Sequence, residues 1–313
     1  MNAMFKILMI SLLAAVSCTG AAGSNPSVPD GDGNQEGVRE EYMADGEYLP
    51  GISLSLLPTP YTPASLGTIR DAGVKWVEVV FNPYWRNVPH DQGYEGLRKL
   101  KSFLSEAGLK VWSCHLPFRK DLDISLSDKD KRAECVAEQR LMIEWAAMFK
   151  PKCLVLHPSS EPIEESQRQE RLDNAVESIG ILKQCAAGIG AVLCLENLPR
   201  TCLGRTSDEI LYMIADHPEV MVCFDSNHLL IEDHDTFFRN VGQRIATIHA
   251  SDYDRLDERH WIEGEGCIDW PSFLRNLKDS GYKGVFMHEV RKGDNVNPES
   301  IVKAYKSVVC EKK

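Results

Sequence analysis

The stretch Glu106-Ala-Gly-Leu-Lys-Val111 ends one regular element and begins another. A glycine just past a helix takes the left-handed conformation that closes it, and the apolar run that follows has the composition of a parallel strand buried on both faces. The same unit recurs as Asp71-Ala-Gly-Val-Lys-Trp76, Ala187-Gly-Ile-Gly-Ala-Val192 and Ser280-Gly-Tyr-Lys-Gly-Val285. Working outward from these turns gives eight strand-like runs, at 51–56, 75–81, 110–115, 153–157, 191–196, 220–225, 245–249 and 284–289. Between them lie stretches of helical period, clearest over 129–149, with Cys135, Val136, Leu141, Ile143, Trp145 and Ala146, and over 164–187. The alternation predicts an α/β protein, a single (β/α)8 barrel over residues 49–309. A doubly wound open sheet is the alternative, but it would not gather every strand end at one mouth.

The segment before the barrel has two parts. Residues 1–17, with Lys6 ahead of the apolar stretch Ile7 to Val16, read as an export signal too short to span a bilayer. Ala15-Val-Ser-Cys18 resembles a bacterial lipobox, with Ala15 where that motif prefers Leu. Cys18 is therefore expected to carry lipid and to anchor a lipoprotein facing the periplasm; cleavage after Ala22, giving a periplasmic or secreted protein, is the alternative. Residues 18–48, rich in Gly, Pro, Asn, Ser and acidic side chains, have the composition of a flexible tether. Net charge is −11, and removing Lys6 with the signal takes it near −12. An acidic chain without a Lys/Arg cluster is a poor match for nucleic acid, so the expected partner is a small substrate, with membrane contact only through Cys18 and oligomerisation left open. Of ten cysteines, Cys114, Cys153, Cys194 and Cys223 fall in core strands as small hydrophobes, and few or no disulfides are expected.

The chemistry collects at the strand ends. Glu196, Asp225, His249 and Glu289 close strands five to eight. In a barrel they become neighbours, an oxygen-rich set suited to one divalent ion, Mn²⁺, Mg²⁺, Co²⁺ or Zn²⁺. A purely structural ion network is the competing explanation, at the cost of several kcal/mol for each buried unpaired charge. His115 and His157 end strands three and four and read as ligands or substrate contacts. His228 can bind a substrate oxygen, take a second metal or cap a helix, and the first is preferred. Glu78 faces either the lumen or the outside. Trp85, Trp112, Phe118 and Trp261 form either a sugar-stacking wall or core. The long connection 250–269 reads as an ordered lid, and Arg291 and Lys292 as a phosphate contact or a solvated loop.

Leu195-Glu-Asn197, Phe224-Asp-Ser-Asn-His228, His249-Ala-Ser-Asp-Tyr-Asp254, His260-Trp-Ile-Glu-Gly-Glu-Gly266, Asp269-Trp270 and His288-Glu289 together resemble the xylose-isomerase-like TIM barrels, over nearly all of 49–309. That superfamily includes sugar and sugar-phosphate isomerases and epimerases and the family-2 AP endonucleases. The epimerase branch implies one metal at Glu196, Asp225, His249 and Glu289, with Glu196 and Glu289 doubling as acid/base groups on opposite faces of the substrate. It implies that His228 and Arg255 contact substrate hydroxyls, with His115, His157 and His260 around the same substrate. The implied activity is isomerisation or epimerisation of a sugar through an enediolate; a keto-sugar lyase or hydratase begins the same way. The endonuclease branch implies three zinc ions, at His115, His157 and Glu196, at Glu196, Asp225, His249 and Glu289, and at His228 and His260, with Glu258 standing where that family has Asp. A carbohydrate-binding barrel without turnover is the remaining alternative.

Overall fold

The computed structural model describes residues 43–44 and 47–310; the stretch read as an export signal, Cys18 and most of the expected tether lie outside the described residues. Eight parallel strands, β1 (Pro50–Ser53), β2 (Trp76–Val80), β3 (Lys110–His115), β4 (Cys153–Leu156), β5 (Val192–Glu196), β6 (Met221–Asp225), β7 (Ile245–His249) and β8 (Phe286–His288), follow one another around a single sheet. β8 pairs with β1, and the seam between β7 and β8 is closed by a parallel bridge from Ala250 to His288, where the Ala250 N–H donates to the Met287 carbonyl at 2.8 Å. The ring is therefore the expected barrel. Around it run α1 (Pro63–Asp71), α2 (His90–Ala107), α3 (Lys129–Ala146), α4 (Arg168–Gly188), α5 (Ser207–Ile214), α6 (His234–Val241), α7 (Trp270–Asp279) and α8 (Pro298–Cys310).

The turn signals hold. Gly73, Gly108, Gly190 and Gly281 have φ of +88°, +71°, +76° and +79°, the left-handed geometry that lets each helix stop and the next strand start. Several boundaries differ from expectation by a few residues, and two of the differences have a local cause. β1 ends at Ser53, and residues 54–56 form a 3₁₀ turn in which the Ser55 N–H donates to the Ser53 hydroxyl. The structured region also begins before residue 49: Met43–Ala44 pairs antiparallel with Glu47–Tyr48, and the hydroxyl of the buried Tyr48 donates to the Tyr282 carbonyl while the Tyr48 backbone carbonyl accepts from the Tyr305 hydroxyl. A buried residue held through both side chain and backbone does not behave as tether.

Inside the sheet, Trp76, Trp112, Cys153, Val155, Cys194, Cys223, Val285 and Met287 form an apolar plug distinct from the larger core between sheet and helices. Strand side chains alternate with period two. The residues two positions beyond Trp76, Cys194, Cys223 and Met287 are Glu78, Glu196, Asp225 and Glu289, so the plug is a floor on which an acidic layer stands. Trp112 Nε1 donates to Thr247 Oγ1 at 3.0 Å, and His249 lies two residues beyond Thr247. Eight described cysteines are free thiols, and no helix among the described residues is long and apolar enough to cross a membrane.

Candidate metal centre and active site

His249 is the hub of the acidic layer. Its Nδ1 lies 2.9 Å from Glu289 Oε2, 3.2 Å from Glu196 Oε1 and 3.8 Å from Asp225 Oδ2. Ligand atoms of all four residues fall within 4.8 Å of one another. On the far side of the ring, Nε2 lies 3.0 Å from Glu78 Oε2, which also accepts from Ser113 Oγ at 2.8 Å. A proton on Nε2 donated to Glu78 leaves the Nδ1 lone pair aimed at the three carboxylates, the tautomer a metal ligand requires. Glu78, which the sequence leaves undecided, is thus fully buried and faces the lumen.

The neighbouring strand end fixes Asp225. The Asn197 amide donates to the Asp225 carbonyl at 3.0 Å and accepts the Asp225 N–H at 2.8 Å, while Asp225 Oδ1 accepts the Asn227 N–H at 2.7 Å. Oδ2 is left without a hydrogen-bond partner although the residue is buried, and Glu196 Oε2 faces only imidazole nitrogens, those of His115 and His157. A buried, unsatisfied Asp225 oxygen, with oxygens of Glu196 and Glu289 converging on the same imidazole nitrogen, is what a divalent cation would satisfy, so the donor set fits a metal. Burial pushes the Asp225 carboxyl up to about 6. Burial also pushes Glu289 upward, but the facing His249 outweighs it and holds Glu289 well below the ordinary carboxylate range.

A cavity of about 410 Å³ opens above this centre, lined among others by His115, His157, Glu196, His228, His260 and Glu289. Asp225 and His249 do not line it; they sit beneath. His115 Nε2 and His157 Nε2 lie 3.2 and 3.0 Å from Glu196 Oε2. Phe118 stacks on His157 at 4.1 Å and lines the cavity, the only one of the four aromatic residues singled out above to do so; Trp112 belongs to the floor. His228 Nδ1 faces the Asn197 carbonyl at 2.9 Å and its Nε2 faces Glu258 Oε2 at 3.2 Å, while His260 Nδ1 faces the Glu289 carbonyl at 3.0 Å. His228, Glu258 and His260 form a second potential ligand cluster, and His115, His157 and Glu196 a third.

Arg255 corrects an expectation. It is exposed, lies outside the cavity lining and sits at φ +61° in a turn where the Asp254 carboxylate accepts the Leu256 and Asp257 N–H groups. Arg200, on the loop after β5, lines the cavity, as do Arg86 and Arg119. Arg291 and Lys292 are also exposed and outside it. The connection 250–269 is ordered, as expected. Asp252 and Trp261 exchange backbone hydrogen bonds, and the Asp252 carboxylate accepts from the Gly264 and Ile268 N–H groups and from Trp270 Nε1.

A parallel (β/α)8 barrel with a ligand-type quartet at its carboxyl-terminal mouth defines the class. Residues 66–307 match the family described as xylose isomerase-like TIM barrel, and the chain belongs to that family. It is 29% identical over 210 residues to an uncharacterised protein of Methanocaldococcus jannaschii, covering 63% of this chain and 71% of that one. It is 26% identical over 114 residues to fructoselysine 3-epimerase of Escherichia coli O157:H7, covering 34% of this chain and 42% of the relative. Among solved structures, a D-tagatose 3-epimerase-like protein superposes with a TM-score of 0.70 at 25% identity, covering 84% of this chain and 98% of that one.

Proposed function

We propose that the protein is a divalent-metal-dependent isomerase or epimerase of a sugar or sugar derivative. One observation carries the reading: of the four quartet residues, only Glu196 and Glu289 line the cavity, while Asp225 and His249 lie beneath it. The first pair can both hold a cation and touch substrate; the second pair can only hold the cation. A bound divalent ion would polarise a substrate carbonyl and the adjacent hydroxyl, lowering the cost of deprotonating the carbon between them. Glu196 and Glu289 are the chain's acid/base groups, one removing that proton and the other returning one to the opposite face. The His115, His157 and Phe118 wall excludes water from one side, and His260 presents its Nε2 to substrate hydroxyls from the other, beside the His228 ring that Asn197 and Glu258 hold. A keto-sugar lyase or hydratase would use the same first step. The similarity to the fructoselysine 3-epimerase and to the D-tagatose 3-epimerase-like structure supports the epimerase form of this reading.

The test is incubation of metal-reconstituted protein with a panel of ketoses and their derivatives. Interconversion that disappears with chelator and in Asp225→Asn supports the reading; turnover that survives both refutes it. A second reading, a zinc phosphodiesterase, draws on one observation: the Nδ1 atoms of His115, His228 and His260 all face backbone carbonyls, so that each Nε2, two of them beside the carboxylates of Glu196 and Glu258, is the ring nitrogen left to ligate. Efficient nicking of abasic DNA, lost in His260→Ala, would favour it over the first.

A further inference from the structure

The His228, Glu258 and His260 cluster has nearly everything a second cation needs. Both histidines have Nδ1 against a carbonyl, and a carboxylate lies between them. What sets it apart is Arg200. Its Nη2 bonds Glu258 Oε1 at 2.9 Å, its Nη1 bonds Asp257 Oδ1 at 2.7 Å and its Nε bonds Glu161 Oε1 at 2.9 Å. One guanidinium thus ties together loops that follow β4, β5 and β7, and it holds the only carboxylate of the cluster. Arg200 and His260 both adopt left-handed backbone, at φ +54° and +53°, an uncommon conformation for residues with a Cβ. A cation entering beside Glu258 would meet a fixed positive charge already paired with its one anionic ligand. Guanidinium, unlike lysine, cannot escape that conflict by losing its proton.

We propose that Arg200 is the resident cation of this corner of the site: it keeps His228, Glu258 and His260 free of metal, and Glu258 serves to hold the His228 ring in place in the cavity wall. The inference rests on the reading above in placing the working metal at Glu196, Asp225, His249 and Glu289. Arg200 is a positioning residue, acting through Glu258.

The experiment is zinc soaking of crystals of the whole protein, with ions located by anomalous scattering and counted by elemental analysis. Wild type should show no ion at His228, Glu258 and His260. Arg200→Met, which keeps length and removes charge, should gain an ion there and about one equivalent of zinc over wild type. Adding His260→Ala to that variant should remove the gain. Should Arg200→Met fail to fold, wild type and His260→Ala still decide: the proposal requires equal zinc content in the two. An ion at this cluster in wild type, or a folded Arg200→Met protein with the cluster still empty, overturns the proposal and leaves the functional reading intact. Absence of metal from the deeper quartet in wild type refutes that reading and this inference with it.

Discussion

Replacing Glu78 should weaken metal binding although Glu78 touches no metal. Its carboxylate accepts from His249 Nε2 at 3.0 Å and Ser113 Oγ at 2.8 Å in a fully buried position. The negative charge makes the imidazole a stronger donor of its Nδ1 lone pair and fixes the ring's orientation. In Glu78→Gln the amide oxygen can still accept from His249, but the charge is gone, and a charge-assisted bond is roughly twice as strong as a neutral one. A loss of about 1 to 1.5 kcal/mol corresponds to a dissociation constant about tenfold higher. Glu78→Ala also frees the ring to turn and leaves two buried donors unsatisfied, so the loss should approach about 100-fold, the upper end for an outer partner of a ligating histidine. The assay is competition with a chromogenic chelator, run beside thermal melting so that unfolded variants are not counted as weak binders. A folded Glu78→Gln protein that binds metal as tightly as wild type would refute the argument, because the quartet would then orient itself without its outer partner.

Metal removal should make stability pH-dependent. Burial lowers His115 and His228, but nearby carboxylates outweigh it, Glu196 at His115 and Asp225 with Glu258 at His228, raising the two to about 9 and about 10. Their contribution is therefore complete below the unfolded value of about 6.5 and is lost as pH climbs through the folded values. The melting temperature of chelator-treated protein should fall between about pH 6.5 and about pH 9, and a rise across that window contradicts this electrostatic picture. At the other end of the chain, the lipobox reading places the protein in the membrane fraction of a bacterial host, and Cys18→Ala should release it; an unchanged distribution between the two proteins rejects lipidation.

Much of the site is legible in the sequence because strand ends in a barrel are geometrically equivalent. Glu196, Asp225, His249 and Glu289 each close an apolar run, and the fold brings their ligand atoms within 4.8 Å of one another. The helix-closing glycines are legible for the same kind of reason: a left-handed residue before a strand is a local requirement. Glu78 escapes the strand-end rule because it sits in mid-strand, yet the period-two relation to Trp76, itself an inward plug residue, is a signal that identifies it. The role of Arg200 carries no such signal. Its partners Glu161, Asp257 and Glu258 lie on two other loops, where no periodicity constrains the chain, and only tertiary structure brings them together. Arg255 shows the converse: a position inferred by likeness within a loop whose turn at Asp254 leaves that side chain in solvent.

The central claim is proton transfer between two carboxylates that share a metal centre. It is tested most directly with a ketose labelled with deuterium at the carbon that inverts, incubated in ordinary water with metal-reconstituted protein. If Glu196 removes the label from one face and Glu289 supplies a proton from the other, or the reverse, the epimerised product loses its carbon-bound deuterium. Glu289→Gln of equal metal content should then slow turnover by about 10²-fold or more. Product that retains its full label, or a metal-replete Glu289→Gln protein turning over at the wild-type rate, contradicts the account.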